Sequence, residues 1–108
     1  MNLAQINYFM ALCEAGTFTG AAATCGITQQ SLSAAIRALE RELGRPLFDR
    51  GPPVRLSPLG EAVKPHFEAI LREIDKVHQL SSERLIPNPI DQNPWAHWRS
   101  PMDMMRQG

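Results

Sequence analysis

The segment from Thr28 to Gly44, TQQSLSAAIRALERELG, restricts the fold of this chain more than any other. Leu32, Ile36, Leu39 and Leu43 recur at intervals of four, three and four, which lays them along one stripe of a 3.6-residue helix. Such a stripe is stable only when other elements cover it. Both ends are punctuated. Thr28 has a hydroxyl able to accept from an orphan N–H of the first turn, and Gly44 is the residue type that most easily closes a helix in the left-handed conformation. The opposite face carries Gln30, Ser33, Ala34, Arg37 and Arg41, with Thr28, Gln29 and Ser31 beside them at the N-terminal end. Amides and small groups come first and cations later. That order suits a helix entering a DNA major groove by its N-terminal end, with polar groups at base edges and arginines at phosphates. It equally suits the solvated face of an ordinary helix, so the neighbouring segments decide.

Before this segment, Leu3, Ile6, Phe9, Met10 and Cys13 recur at helical intervals and end at Ala15-Gly16, which predicts a first helix over Met1 to Gly16. Thr17 can cap a short second helix whose buried side is Phe18, Ala21, Ala22 and Cys25. Gly26-Ile27 then makes a tight turn. A short helix, a Gly-containing turn with an apolar residue and a capped longer helix is the sequence form of a helix-turn-helix; the alternative is any three-helix orthogonal bundle.

After Gly44 the period changes. Leu47-Phe48-Asp49-Arg50 and Val54-Arg55-Leu56 flank Gly51-Pro52-Pro53, which predicts a small hairpin. One or two apolar residues of each arm should pack on the helices and leave Arg50 and Arg55 pointing out, as in a wing that grips phosphates or the minor groove. Alternatively, Arg50 is a structural ion-pair partner. Ser57-Pro58 opens a further helix, a capping hydroxyl followed by proline at the first helical position. Along it Val63, Phe67, Ile70, Ile74 and Val77 recur at four, three, four and three, the spacing of a coiled-coil seam, so pairing with a second copy is expected to cover it. Pro65 should bend its first turns. From Ile86 to Gly108, with Pro87, Pro89, Pro94 and Pro101, no helical or alternating period persists. This tail, with Trp95 and Trp98, is expected to be flexible or to dock on a partner or on the long helix.

Several function classes are excluded by composition and spacing. Net charge is +0 over 108 residues, so no global basicity points to nucleic acid. The charges are unevenly placed, however: residues 1–36 hold no Lys or Arg, while Thr28 to Ser57 hold five arginines against three acids. Cys13 and Cys25 lie in apolar helical patterns with no CxxC or Cys/His spacing, and read as buried thiols of a reducing compartment. His66, His78 and His97 are dispersed, so no metal or cofactor is expected. No Ser/His/Asp or Cys/His arrangement, phosphate loop or carboxylate pair suggests an enzyme. No signal peptide and no apolar run of bilayer length occurs, and the expected location is cytoplasmic.

Residues 3 to about 80 resemble the N-terminal winged helix-turn-helix of LysR-type transcriptional regulators, through LAQINYF, EAGTFTGAA, ITQQSLSAAIRALERELGRPLFDR and VRLSPLGEAV in the family's order and spacing. The resemblance implies that Thr28 to Gly44 is the recognition helix, that the hairpin is the wing, and that two chains pair through the helix from Pro58. It carries Gln29, Gln30, Ser33 and Ala34 onto positions that reach bases and adjacent phosphates, and Arg50 onto the arginine of a Phe-x-Arg element at the wing. Two positions depart from the family's usual residues: Gln30 stands where Pro is usual, and Ala34 where Arg is frequent, which alters the preferred sequence. The family's effector-binding domain has no counterpart after Leu85-Ile86-Pro87, so no small-molecule effector is expected.

The resulting expectation is a mainly α fold, a three-helix winged helix-turn-helix with a β-hairpin wing over residues 1–57, a dimerisation helix over 58–85 and a tail over 86–108. The expected function is sequence-specific binding of double-stranded DNA as a homodimer. Alternatives are an interaction module that forms mixed dimers with full-length regulators, or a truncated remnant.

Overall fold

The computed structural model describes residues 1–83. The chain divides into two units, Met1–Glu73 and a second beginning at Ile74. Residues 84–108, with the end of the expected dimerisation helix and the whole proline-rich segment including Trp95 and Trp98, lie outside the described residues.

Helix α1, Leu3–Ala15, opens with a capping box at Asn2 and Gln5 that its sequence period did not reveal. The Asn2 side chain accepts from Gln5 N–H at 2.8 Å, and Gln5 Oε1 accepts from Asn2 N–H at 3.1 Å, so two orphan donors are satisfied reciprocally. Thr17 caps α2, Phe18–Cys25, by accepting from Gly20 N–H at 3.0 Å. Thr28 caps α3, Gln29–Leu43, through Ser31 N–H at 3.0 Å. At its far end Gly44 has φ of 83°, a conformation with little penalty only for glycine, and its N–H donates to Glu40 O.

Strands β1, Phe48–Asp49, and β2, Arg55–Leu56, pair antiparallel with Phe48 opposite Leu56 and Asp49 opposite Arg55. Leu47 and Phe48 are buried beneath this hairpin, while Val54 and Leu56 pack partly buried against the same core. The tip contains a cis Pro52–Pro53 peptide.

Ser57 joins the hairpin to helix α4, Pro58–Glu83. Its Oγ accepts from Gly60 N–H at 3.0 Å and donates to Pro46 O at 2.7 Å, while its N–H donates to Leu47 O at 2.9 Å. The first turn of α4 is thereby clamped against Leu47. Gly60 makes that approach possible, because a Cβ there would stand 2.1 Å from Leu47 O. Pro65 removes one backbone donor, yet α4 is continuous across it.

The core of the first unit is built on Phe9. Its ring lies 5.1 Å from that of Phe48 and 5.0 Å, edge-on, from that of Phe67, the tilted and T-shaped arrangements that aromatic quadrupoles favour. Leu12, Leu32, Ile36, Leu39 and Leu47 fill the remainder without exposure above 1%. The expected α3 stripe is thus buried at Leu32, Ile36 and Leu39, with Leu43 half-buried at its end.

Candidate nucleic-acid interface

With one face of α3 consumed by the core, the other is presented to solvent. Gln29, Gln30, Ser31, Ala34 and Arg37 are exposed and Ser33 is half-buried. Gln29, Gln30, Ser33, Ala34 and Arg37 line an open cleft of about 470 Å³. The backbone N–H groups of Gln29 and Gln30, at the first two helical positions, have no acceptor within the helix. They point outward at the positive end of the helix dipole, where an anion is favoured.

The polar groups here do not all remain available to a ligand. Thr28 Oγ1 accepts from Ser31 N–H and donates to Ser31 Oγ at 2.9 Å, so the Thr28 proton is committed to the cap and the Ser31 hydroxyl proton is the donor left over. Gln29 Oε1 accepts from Thr19 Oγ1 on α2 at 3.1 Å. Gln30, Ser33 and Arg37 make no side-chain hydrogen bond among the described residues.

Farther along α3, Arg37, Glu40, Arg41, Gly44, Arg45 and Pro46 line a second open cleft of about 510 Å³ that shares Arg37 with the first. Among the described residues no carboxylate lies within 4.0 Å of the Arg37, Arg41, Arg45 or Arg55 guanidinium. Glu40 does not neutralise them, because its carboxylate is occupied. It accepts from Leu47 N–H at 2.7 Å, from Phe48 N–H at 3.4 Å and from Arg50 Nη2 at 2.6 Å.

That last contact matches the alternative given for Arg50, a structural ion-pair partner, rather than a cation left free on the wing. Its guanidinium is paired with Glu40 and stands over the Phe18 ring at 5.1 Å, fastening the hairpin to both α3 and α2. The physical reason is the 13% exposure of the Glu40 side chain, since a carboxylate so shielded requires a charged partner. Arg55 is exposed as expected. Glu40 and Thr19 escaped the sequence reading, and Phe18 was read only as part of the buried side of α2. The only available signal was an apolar-stripe helix with an acid facing the wing, and no period marks a contact between different elements.

The expected pairing seam is also divided. Phe67, 4% exposed, and Val63, half-buried, belong to the core of the first unit rather than to an outer seam, because Phe67 stacks edge-on against Phe9. Ile70 remains 39% exposed in that unit. In the second unit Ile74 is half-buried, whereas Val77 and Leu80 are 65% and 48% exposed.

The cysteines are free, and both are half-buried. Burial raises the pKa of the Cys13 thiol above the ordinary cysteine value, against a smaller opposing effect of the Lys64 ammonium. Among the described residues no group of three His, Cys, Asp or Glu side chains could hold a metal. No described helix is long and apolar enough to cross a membrane.

Residues 3–61 match the bacterial regulatory helix-turn-helix proteins of the lysR family. Over 76 residues, 66% of the chain, it is 40% identical to the HTH-type transcriptional regulator AbaB of Streptomyces antibioticus, and the match spans only 25% of that protein. The chain therefore corresponds to about a quarter of this relative's length. The crystal structure of a BenM_DBD/catB site 1 DNA complex is similar over 82% of the chain and 100% of that domain, at 32% identity and a TM-score of 0.76. That of a CbnR_DBD–DNA complex is similar over 77% and 97%, at 28% identity and a TM-score of 0.71.

Proposed function

Because the chain belongs to the lysR family of bacterial regulatory helix-turn-helix proteins, we propose that it regulates transcription by binding duplex DNA, reading sequence with the exposed face of α3. The observation that carries this reading is the division of α3 into a buried apolar stripe and an outward polar face. The latter runs from unpaired N–H groups and amides at the N-terminal end to uncompensated arginines at the other. Each part of that face has a use on DNA. N-terminal N–H groups and arginines hold phosphates, and Gln29, Gln30, Ser31 and Ser33 are of the types that bond to base edges in the major groove. The similarity to two LysR-type domains solved with DNA supports the same use of the fold.

We further propose that two copies bind a pseudo-palindromic site, with half-sites about one helical turn or more apart. Support comes from apolar side chains left uncovered on α4, Ile70 in the first unit and Val77 and Leu80 in the second. Selection from a randomised duplex pool at two salt concentrations, with sedimentation to count protein copies on the selected duplex, tests both parts. A selected inverted repeat, bound by two chains and weakened steeply by salt, is the expected result. Absence of any selected sequence refutes the readout, and a single chain on the duplex refutes the dimer.

A further inference from the structure

On α2, the Thr19 hydroxyl reaches across the turn of the helix-turn-helix and donates to Oε1 of Gln29, the first residue of α3, at 3.1 Å. From this contact we infer that Thr19 is a positioning residue for sequence readout, holding the Gln29 amide so that it meets DNA as a hydrogen-bond donor. The inference rests on the function proposed above and specifies the chemistry of one position within it.

A free glutamine reads adenine with both ends of its amide, the oxygen accepting from N6 and the nitrogen donating to N7. That contact requires both atoms to face one base edge. With Oε1 turned toward α2 by Thr19, the NH₂ group leads instead. Guanine offers two adjacent acceptors, N7 and O6, in the major groove, whereas thymine offers one, O4, beside a methyl group, adenine one acceptor beside a donor, and cytosine a donor. The geometry therefore favours guanine opposite Gln29. Thr19 is exposed and contributes nothing to the buried core, so replacing its hydroxyl leaves the fold intact. The backbone position of Gln29 is fixed independently by the Thr28 cap.

The test uses the full chain in wild-type, Thr19→Val, Thr19→Ser and Gln29→Ala forms. Each is checked for an unchanged melting profile and then carried through selection on a randomised duplex pool. Gln29→Ala locates the base position that this residue reads. Wild type is expected to select guanine there. Thr19→Val, which keeps the shape and loses the hydroxyl, frees the amide oxygen and lowers the guanine-over-adenine ratio at that position by about tenfold, the order of one bidentate contact. Other positions and affinity for a fixed non-specific duplex should stay unchanged, and Thr19→Ser should restore the wild-type preference. A Thr19→Val profile identical to wild type, or one relaxed at positions that Gln29→Ala leaves alone, overturns the assignment. So does adenine selected by the wild type at the Gln29 position, which would mean that the amide is held the other way round. A wild-type chain that selects no sequence overturns the proposed function as well, so the two failures are distinguishable.

Discussion

Replacing Gly60 by alanine opposes two effects of known sign. Gly60 lies in the first turn of α4, where helix propensity alone favours alanine by about 1 kcal/mol. Against this, the added Cβ would stand 2.1 Å from Leu47 O and 2.8 Å from Leu56 Cδ2. An ordinary C···O approach is about 3.3 Å, so α4 and the Leu47 backbone must separate by roughly 1 Å. Leu47 has no exposed surface and its carbonyl accepts from Ser57 N–H at 2.9 Å. Separation therefore disturbs a packed core, costing about 1–3 kcal/mol, and strains a hydrogen bond worth about 1 kcal/mol. The net expectation is a loss of about 2 kcal/mol, a fall in melting temperature of roughly 8–16 °C for a unit of this size. Circular dichroism melting of the full chain at fixed concentration measures it, since self-association would otherwise move the midpoint. Gly51→Ala is the control, because a Cβ there meets only Asp49 Oδ1 at 3.8 Å; its effect should stay within about 0.5 kcal/mol. A Gly60→Ala chain melting at or above wild type would refute the reasoning, showing that α4 can slide off Leu47 without loss.

Three further outcomes are expected. Glu40→Ala strands the Leu47 N–H and the Arg50 guanidinium and should cost about 2–4 kcal/mol in urea unfolding. Arg50→Ala strands the shielded Glu40 carboxylate but leaves it the Leu47 and Phe48 N–H donors, and should cost less, about 1–2 kcal/mol; equal costs would deny Glu40 its place at the junction. Arg55→Ala, which disturbs no ion pair among the described residues, should reduce the salt slope of DNA binding by about 0.9 while leaving the selected sequence unchanged; a changed preference would make it a base reader. The Cys13 thiol, its pKa raised by burial, stays protonated through neutral pH. Iodoacetamide should therefore label it slowly until pH passes the ordinary thiol range. The same shift makes the folded state lose stability as pH rises through that alkaline window. Rapid labelling at neutral pH would contradict both.

Most of what was legible in the sequence is local. The α3 stripe, the caps at Thr17, Thr28 and Ser57 and the Gly/Pro tip of the hairpin are each encoded within a few residues, where period and turn chemistry act directly. What escaped depends on which elements meet. Thr19–Gln29 and Arg50–Glu40 each join residues ten positions apart on different elements. The approach of Gly60 to Leu47 is likewise invisible to any periodicity. The α4 seam shows why spacing alone misassigns partners. Alternation of four and three fits packing on a neighbouring helix as well as pairing with a second copy, and Phe67 took the first course where its ring could reach Phe9. For the outward face of α3, residue types were legible but not their commitments, since the Thr28 hydroxyl and the Gln29 oxygen are already engaged within the chain.

The two faces of α3 also bear on how a family of such domains can diversify. Leu32, Ile36 and Leu39 hold the fold, while Gln30, Ala34 and Arg37 are exposed and contribute no burial that the fold requires. Substitutions at the outward positions therefore carry little risk of unfolding the domain, as surface changes remote from caps and cores are usually near neutral. Successive changes on that face leave each intermediate a folded protein. Gln30 and Ala34 both lie on that exposed side.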